Sequence, residues 1–425
     1  MDAVETPGET ASSTDMRVGI VGFGLRASLW KHAHRPGEGS AVTMVCDLSA
    51  RGRADAAAKI PTAVVTDSLE ELLAAGLDAV LVLTPDNRHA EVAVQTLRAG
   101  IPTFCEKPLD VTLAAADAIL ATAYETGTRL YVGHNMRHMP VVVQMRELIQ
   151  AGTIGEVKAV WCRHFVGNGG DYYFKDWHAQ RANTTSLLLQ KGAHDIDVIH
   201  WLAGGYTRRV SAIGDLAVYG DVTSRRDNTD RRMGDWFSLQ NWPPAAQTDL
   251  AEVIDVEDIS MMQMVLDNGV LASYQQCHFT PDYWRNYTVI GTRGRIENFG
   301  DGPGDTIKVW TTRSSAGFVA PDAEIEILDG EGGHGGADPL LIAEFLRFAR
   351  EGGETATSPV AARASVAAGV LATASLRGDG GALEVPALPG EWVEYFNAGQ
   401  PVPDRSLNSH ARSGPLAAVG PRVAQ

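Results

Sequence analysis

Met16-Arg17-Val18-Gly19-Ile20-Val21-Gly22-Phe23-Gly24-Leu25-Arg26-Ala27 decides the architecture of this 425-residue chain. The apolar run ending at Gly22 reads as a strand, and a helical stretch follows from Leu25 to about His34. Between them lies GxGxxA. Gly22 permits the tight turn, Gly24 lets the backbone approach a pyrophosphate, and Ala27 keeps helix and strand close. N–H groups at the helix start then receive the phosphates. Alone, the hexamer is also an ordinary glycine-rich turn. Asp47 adds the missing context, because it closes the next strand, twenty residues past Ala27. A carboxylate there accepts both adenosine ribose hydroxyls and repels a 2′-phosphate, which favours NAD over NADP. Arg51 and Arg53 nearby argue slightly the other way.

Outward from this turn, strands and helices alternate. Strands are expected at 41–46, 62–66, 78–84, 101–107 and 129–133, with helices at 50–59, 68–76, 88–99 and 111–125. Ser68 caps the second of these helices, and Gly100 ends the third. The continuously apolar 78–84 suits a strand covered on both faces. The order implies a parallel, doubly wound sheet with right-handed crossovers. From about residue 139 the pattern changes: a helix at 140–150, a strand at 154–165, a helix near 191–202 and five further strand-like stretches up to residue 298. This reads as an α+β domain with a large, mostly antiparallel open sheet and helices on one face. Residues 221–255 look like a long insertion loop, and late helices fall at 338–350 and 359–377. The expected division is a disordered tail (1–15), a Rossmann NAD-binding domain (16–137), an α/β substrate-binding and oligomerisation domain (138–395) and an extended C-terminal tail (396–425).

Composition bounds the function. With 36 basic and 52 acidic residues the net charge is −16, which argues against a nucleic-acid surface. A small anionic substrate remains compatible with one locally basic pocket. Four cysteines lie far apart without CxxC or CxxH spacing, so a reduced, cytoplasmic protein without structural zinc or a disulfide framework is expected. No metal site is expected from the scattered histidines. No run approaches about 18 consecutive apolar residues, so no membrane span is expected, and the first fifteen residues lack the features of a signal peptide.

Three further elements join GxGxxA: Thr84-Pro85-Asp86-Asn87-Arg88-His89 after the fourth strand, Glu106-Lys107-Pro108 after the fifth, and Gly192-Ala193-His194-Asp195-Ile196-Asp197 opening a helix of the second domain. Together they resemble the Gfo/Idh/MocA family, the relatives of glucose–fructose oxidoreductase and inositol dehydrogenase, over roughly residues 16–350. The resemblance implies hydride transfer between NAD(P) and a hydroxyl carbon of a sugar, cyclitol or sugar derivative. Some relatives are instead NAD-dependent glycosidases, which act by transient oxidation and elimination. A non-catalytic cofactor-binding sensor is a further alternative.

Carried residue by residue, the resemblance makes Lys107 and His194 catalytic. Lys107 would stabilise a developing alkoxide, and His194 would take the hydroxyl proton. Cofactor contacts are expected from Gly22, Phe23, Gly24, Leu25, Arg26, Ala27, Asp47, Thr84, Pro85, Asn87, His89, Glu106, Lys107 and Trp177. Substrate contacts are expected from Asn135, Arg137, Tyr173, Trp177, His178, Gln190, Lys191 and Asp197, the last as a substrate-side ligand or a structural partner, while Asp195 reads as structural. His278, Tyr283, Trp284, Arg285 and His334 are weaker pocket candidates.

One departure stands out. The family pattern is DxGxHxxD, and its first Asp is Gln190 here, followed by Lys191. Gln orients a hydroxyl but takes up no proton at neutral pH. Three readings compete: His194 and Lys107 suffice, the substrate carries an anion recognised by Lys191, or the reaction is glycoside cleavage. A homo-dimer or homo-tetramer through the open sheet is expected, with 261–266 and 271–274 supplying part of the contact face.

Overall fold

The structure is a computed structural model that describes residues 14–317 and 319–401. The expected tail at 1–15 and the last 24 residues therefore lie almost wholly outside the described residues. Asp15 belongs to the fold, because its buried carboxylate accepts from the N–H groups of Gly37 and Gly39 at 2.8 and 2.9 Å.

Six strands form the first sheet: β1 (Met16–Val21), β2 (Ser40–Cys46), β3 (Val64–Thr66), β4 (Ala79–Val82), β5 (Thr103–Cys105) and β6 (Leu130–Val132). All pair in parallel in the order β3-β2-β1-β4-β5-β6. Between them run α1 (Trp30–Ala33), α2 (Ala50–Lys59), α3 (Leu69–Leu73), α4 (His89–Arg98) and α5 (Leu113–Thr126). Ser49, Ser68 and Thr112 cap α2, α3 and α5 with their side-chain oxygens. The helix expected over 25–34 is shorter and tighter: a 3₁₀ turn at Leu25–Leu29 leads into the single turn α1. Pro36 follows closely, so the chain does not continue as helix there.

The second domain holds α6 (Pro140–Gln150), β7 (Val157–Phe165), α7 (Gly169–Tyr173), α8 (Arg181–Thr184), α9 (Leu187–Gln190), α10 (Gly192–Ala203) and β8 (Thr207–Asp215). The insertion is ordered around a two-residue parallel pair, β9 (Arg225–Arg226) and β10 (Leu250–Ala251). Trp236 and Asn228 of the insertion donate to the carbonyls of Asp171 and Lys175 at 2.9 and 2.8 Å, tying it to the segment around α7. Then come β11 (Ile259–Leu266), β12 (Leu271–Cys277), β13 (Trp284–Gly291), β14 (Gly294–Phe299), β15 (Thr306–Trp310), β16 (Ala323–Glu326) and, after two helices, β17 (Leu383–Glu384). The nine-stranded sheet runs β16-β15-β14-β13-β7-β12-β11-β8-β17 and is antiparallel except for β7 with β12. β15 turns Ile307 and Val309 into the core but was not expected from the sequence, and β16 and β17 are too short and polar to have been read from it.

Strand alternation splits the expected contact face. Met262, Met264, Leu266, Ala272 and Tyr274 point into the core beneath α10 and α12 (Pro359–Arg377). Trp161, Ile213, Met261 and Leu271 are 51, 64, 42 and 58% exposed on the opposite face.

The late helices reach beyond their own sheet. α11 (Ala337–Glu351) covers the first sheet, its Leu341, Phe345 and Phe348 packing with Phe104 and Tyr131. α12 has the length and mean hydropathy of a membrane-crossing helix, but 78% of its apolar window is buried among α5, α9, α10 and β8. α13 (Gly390–Asn397) lies against α5 and buries Phe396. Gln400 then pairs with the edge of β6, its amide accepting from Leu130 N and donating to Leu130 O at 2.8 and 2.7 Å. Residues 396–401, the described start of the expected extended C-terminal tail, are thus docked on the first domain. An edge strand with unpaired backbone groups rewards such a cap.

Candidate active site

The carboxyl ends of the parallel strands face the second domain across a cleft of about 1090 Å³. At one end is the glycine-rich turn. Gly22 has φ +91°, and a Cβ there would stand 2.7 Å from the Leu83 carbonyl oxygen. Gly24 has open space within 4 Å, and the first turn beyond it has no side-chain cap. Uncapped N–H groups below open space suit a pyrophosphate. Leu25 lines the cleft, whereas the side chains of Phe23 and Ala27 are buried in the domain core. Phe23 contributes its N–H, which donates to Asp47 Oδ2 at 2.6 Å, while Asp47 Oδ1 accepts from Ser49 at 2.7 Å.

The two arginines that argued for NADP are otherwise engaged. Arg53 donates to the carbonyls of Asp47 and Leu48 at 2.9 Å and lies 3.6 Å from Asp67. Arg51 turns to the insertion, donating to Asp230 O at 3.1 Å and lying 3.6 Å from Asp235. Sequence reading missed Arg232, which enters the cleft wall from the insertion and pairs with Asp55.

Thr84, Pro85 and His89 line the cleft. The His89 ring sits between the carbonyls of Pro108 and Thr84, at 2.7 and 2.9 Å, and ties the two ligand loops together. Asn87 is not in the wall; its amide donates to Asn183 at 3.1 Å. Arg26 bonds Glu106 at 2.7 Å and Asp338 at 3.2 Å. Glu106 in turn accepts from Lys107 N at 2.7 Å. Asp338, at the start of α11, also accepts from Asn135 at 3.2 Å and contacts His334 at 2.9 Å. This hub was not legible in the sequence, since Arg26 and Asp338 lie 312 residues apart.

The chemical end of the cleft brings Lys107, Gln190, Lys191 and His194 together with Tyr173, Trp177 and His178. Lys107 Nζ donates to the Gln190 carbonyl at 3.0 Å. Burial lowers its pKa from the ordinary lysine value, and the Asp86 and Glu106 charges offset part of that. His194 Nδ1 is buried without a partner, as is Gln190 Oε1. Burial holds the His194 pKa well below the usual imidazole range, and the charges of Lys107, Lys191 and Arg285 add to the effect. Burial, then Arg285 and Lys107, bring Lys191 down to about 7. Trp177 stacks on His178, ring centroids 3.7 Å apart, and Tyr173 meets His178 edge-on.

Two of the weaker candidates, Tyr283 and Arg285, also line this end. Arg285 Nε lies 3.1 Å from Asp195, and its Nη1 lies 3.4 Å from Asp301. Asp195 is fully buried and is also contacted by His164 at 2.9 Å and by the hydroxyls of Tyr274 and Tyr287. His278 is buried behind Tyr173 with both ring nitrogens unpartnered.

Arg137 and Asp197 do not line the cleft, contrary to the role expected for them. Arg137 Nε and Nη2 donate to the two Asp197 oxygens at 2.7 and 2.8 Å, with His134 3.4 Å away. Asp197 is 1% exposed. A helix rises about 1.5 Å per residue, so only the first turn of α10 reaches the cleft, and Asp197 falls below its floor. Among the described residues no group of three or more His, Cys, Asp or Glu is arranged to hold a metal ion.

Residues 16–134 match the oxidoreductase family with the NAD-binding Rossmann fold, and residues 142–297 match the GFO/IDH/MocA C-terminal domain. A myo-inositol dehydrogenase of Streptomyces leeuwenhoekii is 30% identical over 249 residues, 56% of this chain and 74% of that protein. Inositol 2-dehydrogenase 2 of Paenarthrobacter aurescens is 33% identical over 205 residues, 46% of this chain and 58% of that protein. The chain therefore spans little more than half of that second relative. A levoglucosan dehydrogenase solved with NADH and levoglucosan shares the fold at TM-score 0.70 and 18% identity, over 88% of this chain and all of that one.

Proposed function

Because this chain belongs to the Gfo/Idh/MocA family of NAD-binding oxidoreductases, we propose that it moves a hydride between NAD and a hydroxyl-bearing carbon of a sugar, cyclitol or sugar derivative. One observation carries the reading: a lysine ammonium and an unpartnered imidazole share the chemical end of a cleft whose other end is a dinucleotide turn. Bound NAD supplies the hydride acceptor or donor. Gly22, Gly24, Leu25, Arg26 and Asp47 would hold its pyrophosphate and adenosine ribose, and the buried, unpartnered oxygens of Thr84 and Asn135 are available further along the wall.

Lys107 sits where its charge stabilises an alkoxide as it forms. Its bond to the Gln190 carbonyl aims the ammonium across the domain boundary. Burial and the cations around it keep His194 neutral, with a free nitrogen for the hydroxyl proton, and those same cations weaken it as a base until a negative charge offsets them. Glu106, locked by Arg26, fixes the turn that carries Lys107. The stacked Trp177 and His178 offer an aromatic surface to C–H faces, with polar edges for hydroxyls.

The open face of the large sheet, with Trp161, Ile213, Met261 and Leu271 uncovered, supports docking of a second copy. The test of the chemistry is NADH appearance at 340 nm with a panel of polyols and sugars, run beside aglycone release from chromogenic glycosides. Sugar-dependent NADH formation supports a dehydrogenase. Aglycone release with no net NADH would replace it with redox-assisted glycoside cleavage.

A further inference from the structure

At the chemical end of the cleft one cation, Lys191, lacks a bonded counter-charge among the described residues. Arg285 is matched by Asp195 and Asp301. Lys191 has no bonded partner among the described residues, although it stands at the first turn of α10 beside Gln190 and His194. That helix start adds its own partial positive charge and unsatisfied N–H groups. Gln190, 7% exposed, lines the same space, keeps a buried and unpartnered Oε1 and brings no negative charge. Lys107 adds a second cation on the facing wall, partly offset by Asp86 and Glu106. Cations gathered in a partly dry cleft repel one another and are unfavourable until an anion arrives. They also discourage His194 from keeping the proton it takes, an effect that a negative charge on the substrate would offset.

We propose that Lys191, at the start of α10, binds a carboxylate carried by the substrate, so that the sugar or cyclitol is an acid such as a uronate or aldonate. The inference rests on the dehydrogenase reading above and names its substrate class. A single unmatched ammonium fits a monoanion better than a phosphate dianion, because Arg285 already has two carboxylates. Gln190 supplies a neutral hydrogen-bond partner where a carboxylate would repel the acid.

The test uses the full chain loaded with NADH. D-Glucuronate, D-galacturonate and D-gluconate are titrated by calorimetry against D-glucose, D-galactose and D-glucitol, with NAD turnover at 340 nm followed in parallel. At least one acid is expected to bind about tenfold or more tightly than its neutral partner, with the ratio falling between about 50 and 500 mM salt. The acid-to-neutral ratio collapses towards one in Lys191→Met and survives in Lys191→Arg; thermal unfolding of each variant confirms that it is folded. Equal binding of acid and neutral partner in every pair overturns the proposal, as does a Lys191→Met variant that weakens both alike. Acids that bind preferentially but yield no NADH keep the anion subsite and remove the dehydrogenase reading. Neutral sugars that yield NADH with no acid preference do the reverse.

Discussion

Replacing Asp197 with alanine separates a structural ion pair from a substrate ligand. Asp197 takes two bonds from Arg137 at 2.7 and 2.8 Å, and the two side chains are 1 and 6% exposed. Without the carboxylate, the guanidinium keeps, among the described residues, the Ala356 carbonyl at 2.8 Å and the face of Trp201, 5.4 Å from its ring centroid. Removing one partner of a buried pair costs about 3–5 kcal/mol, since the other charge stays desolvated. At about 2.1 cal/mol/K of unfolding entropy per residue, a chain of 425 residues shifts by roughly 1 °C per kcal/mol, so the unfolding temperature falls on the order of 3–6 °C. Burial raises the pKa of Asp197, but the Arg137 charge and its bonds outweigh this and hold it well below the carboxylate range. Its stabilisation is therefore full above about pH 4 and is lost as pH falls further. The gap in unfolding temperature between parent and variant stays constant from neutral pH down to that point, then narrows. Arg137→Met combined with Asp197→Leu recovers most of the loss, because it removes both charges. Scanning calorimetry with steady-state kinetics at low temperature is the assay. A variant that keeps its unfolding temperature but shows a selectively raised KM for the sugar would refute the placement of Asp197 beneath the cleft.

Further outcomes follow from the same geometry. Lys107→Ala lowers kcat by about 10²–10⁴ and leaves NAD affinity within about tenfold; unchanged kcat removes Lys107 from the reaction. NAD binds more tightly than NADP, and Asp47→Ala narrows the gap in cofactor-fluorescence titrations, because Arg51 and Arg53 are committed elsewhere; tighter NADP binding by the parent defeats this assignment. Gln190→Asp places a carboxylate beside Lys191 and raises KM for acidic substrates more than for neutral ones; equal effects on both leave Gln190 as an orienting partner for a neutral hydroxyl. Light scattering shows a dimer or tetramer at micromolar concentration, and charged residues at Trp161 and Ile213 dissociate it; a monomeric parent overturns the docking face.

Local signals made the first domain readable. Apolar strands buried on both faces, serine and threonine caps and the GxGxxA turn are each written within a few consecutive residues. Lys107 was legible for the same reason, since the end of a parallel strand is a known position for ligand contacts. His194 came through its motif at the head of a helix. Tertiary packing decided the rest. Arg137 and Asp197 sit 60 residues apart and became a pair because α10 descends beneath the cleft. Arg232 reached the cleft, and Asp338 the hub behind it, on elements hundreds of residues from the turn they face, and nothing in their own neighbourhoods marks them off from other charged residues. Gln400 and α11, which complete the first domain, likewise come from the far end of the chain. Sequence periodicity determines which face of an element is apolar. Which elements meet, and therefore which charges are matched and which are left open to a ligand, is settled only when the two sheets and their late helices close around the cleft.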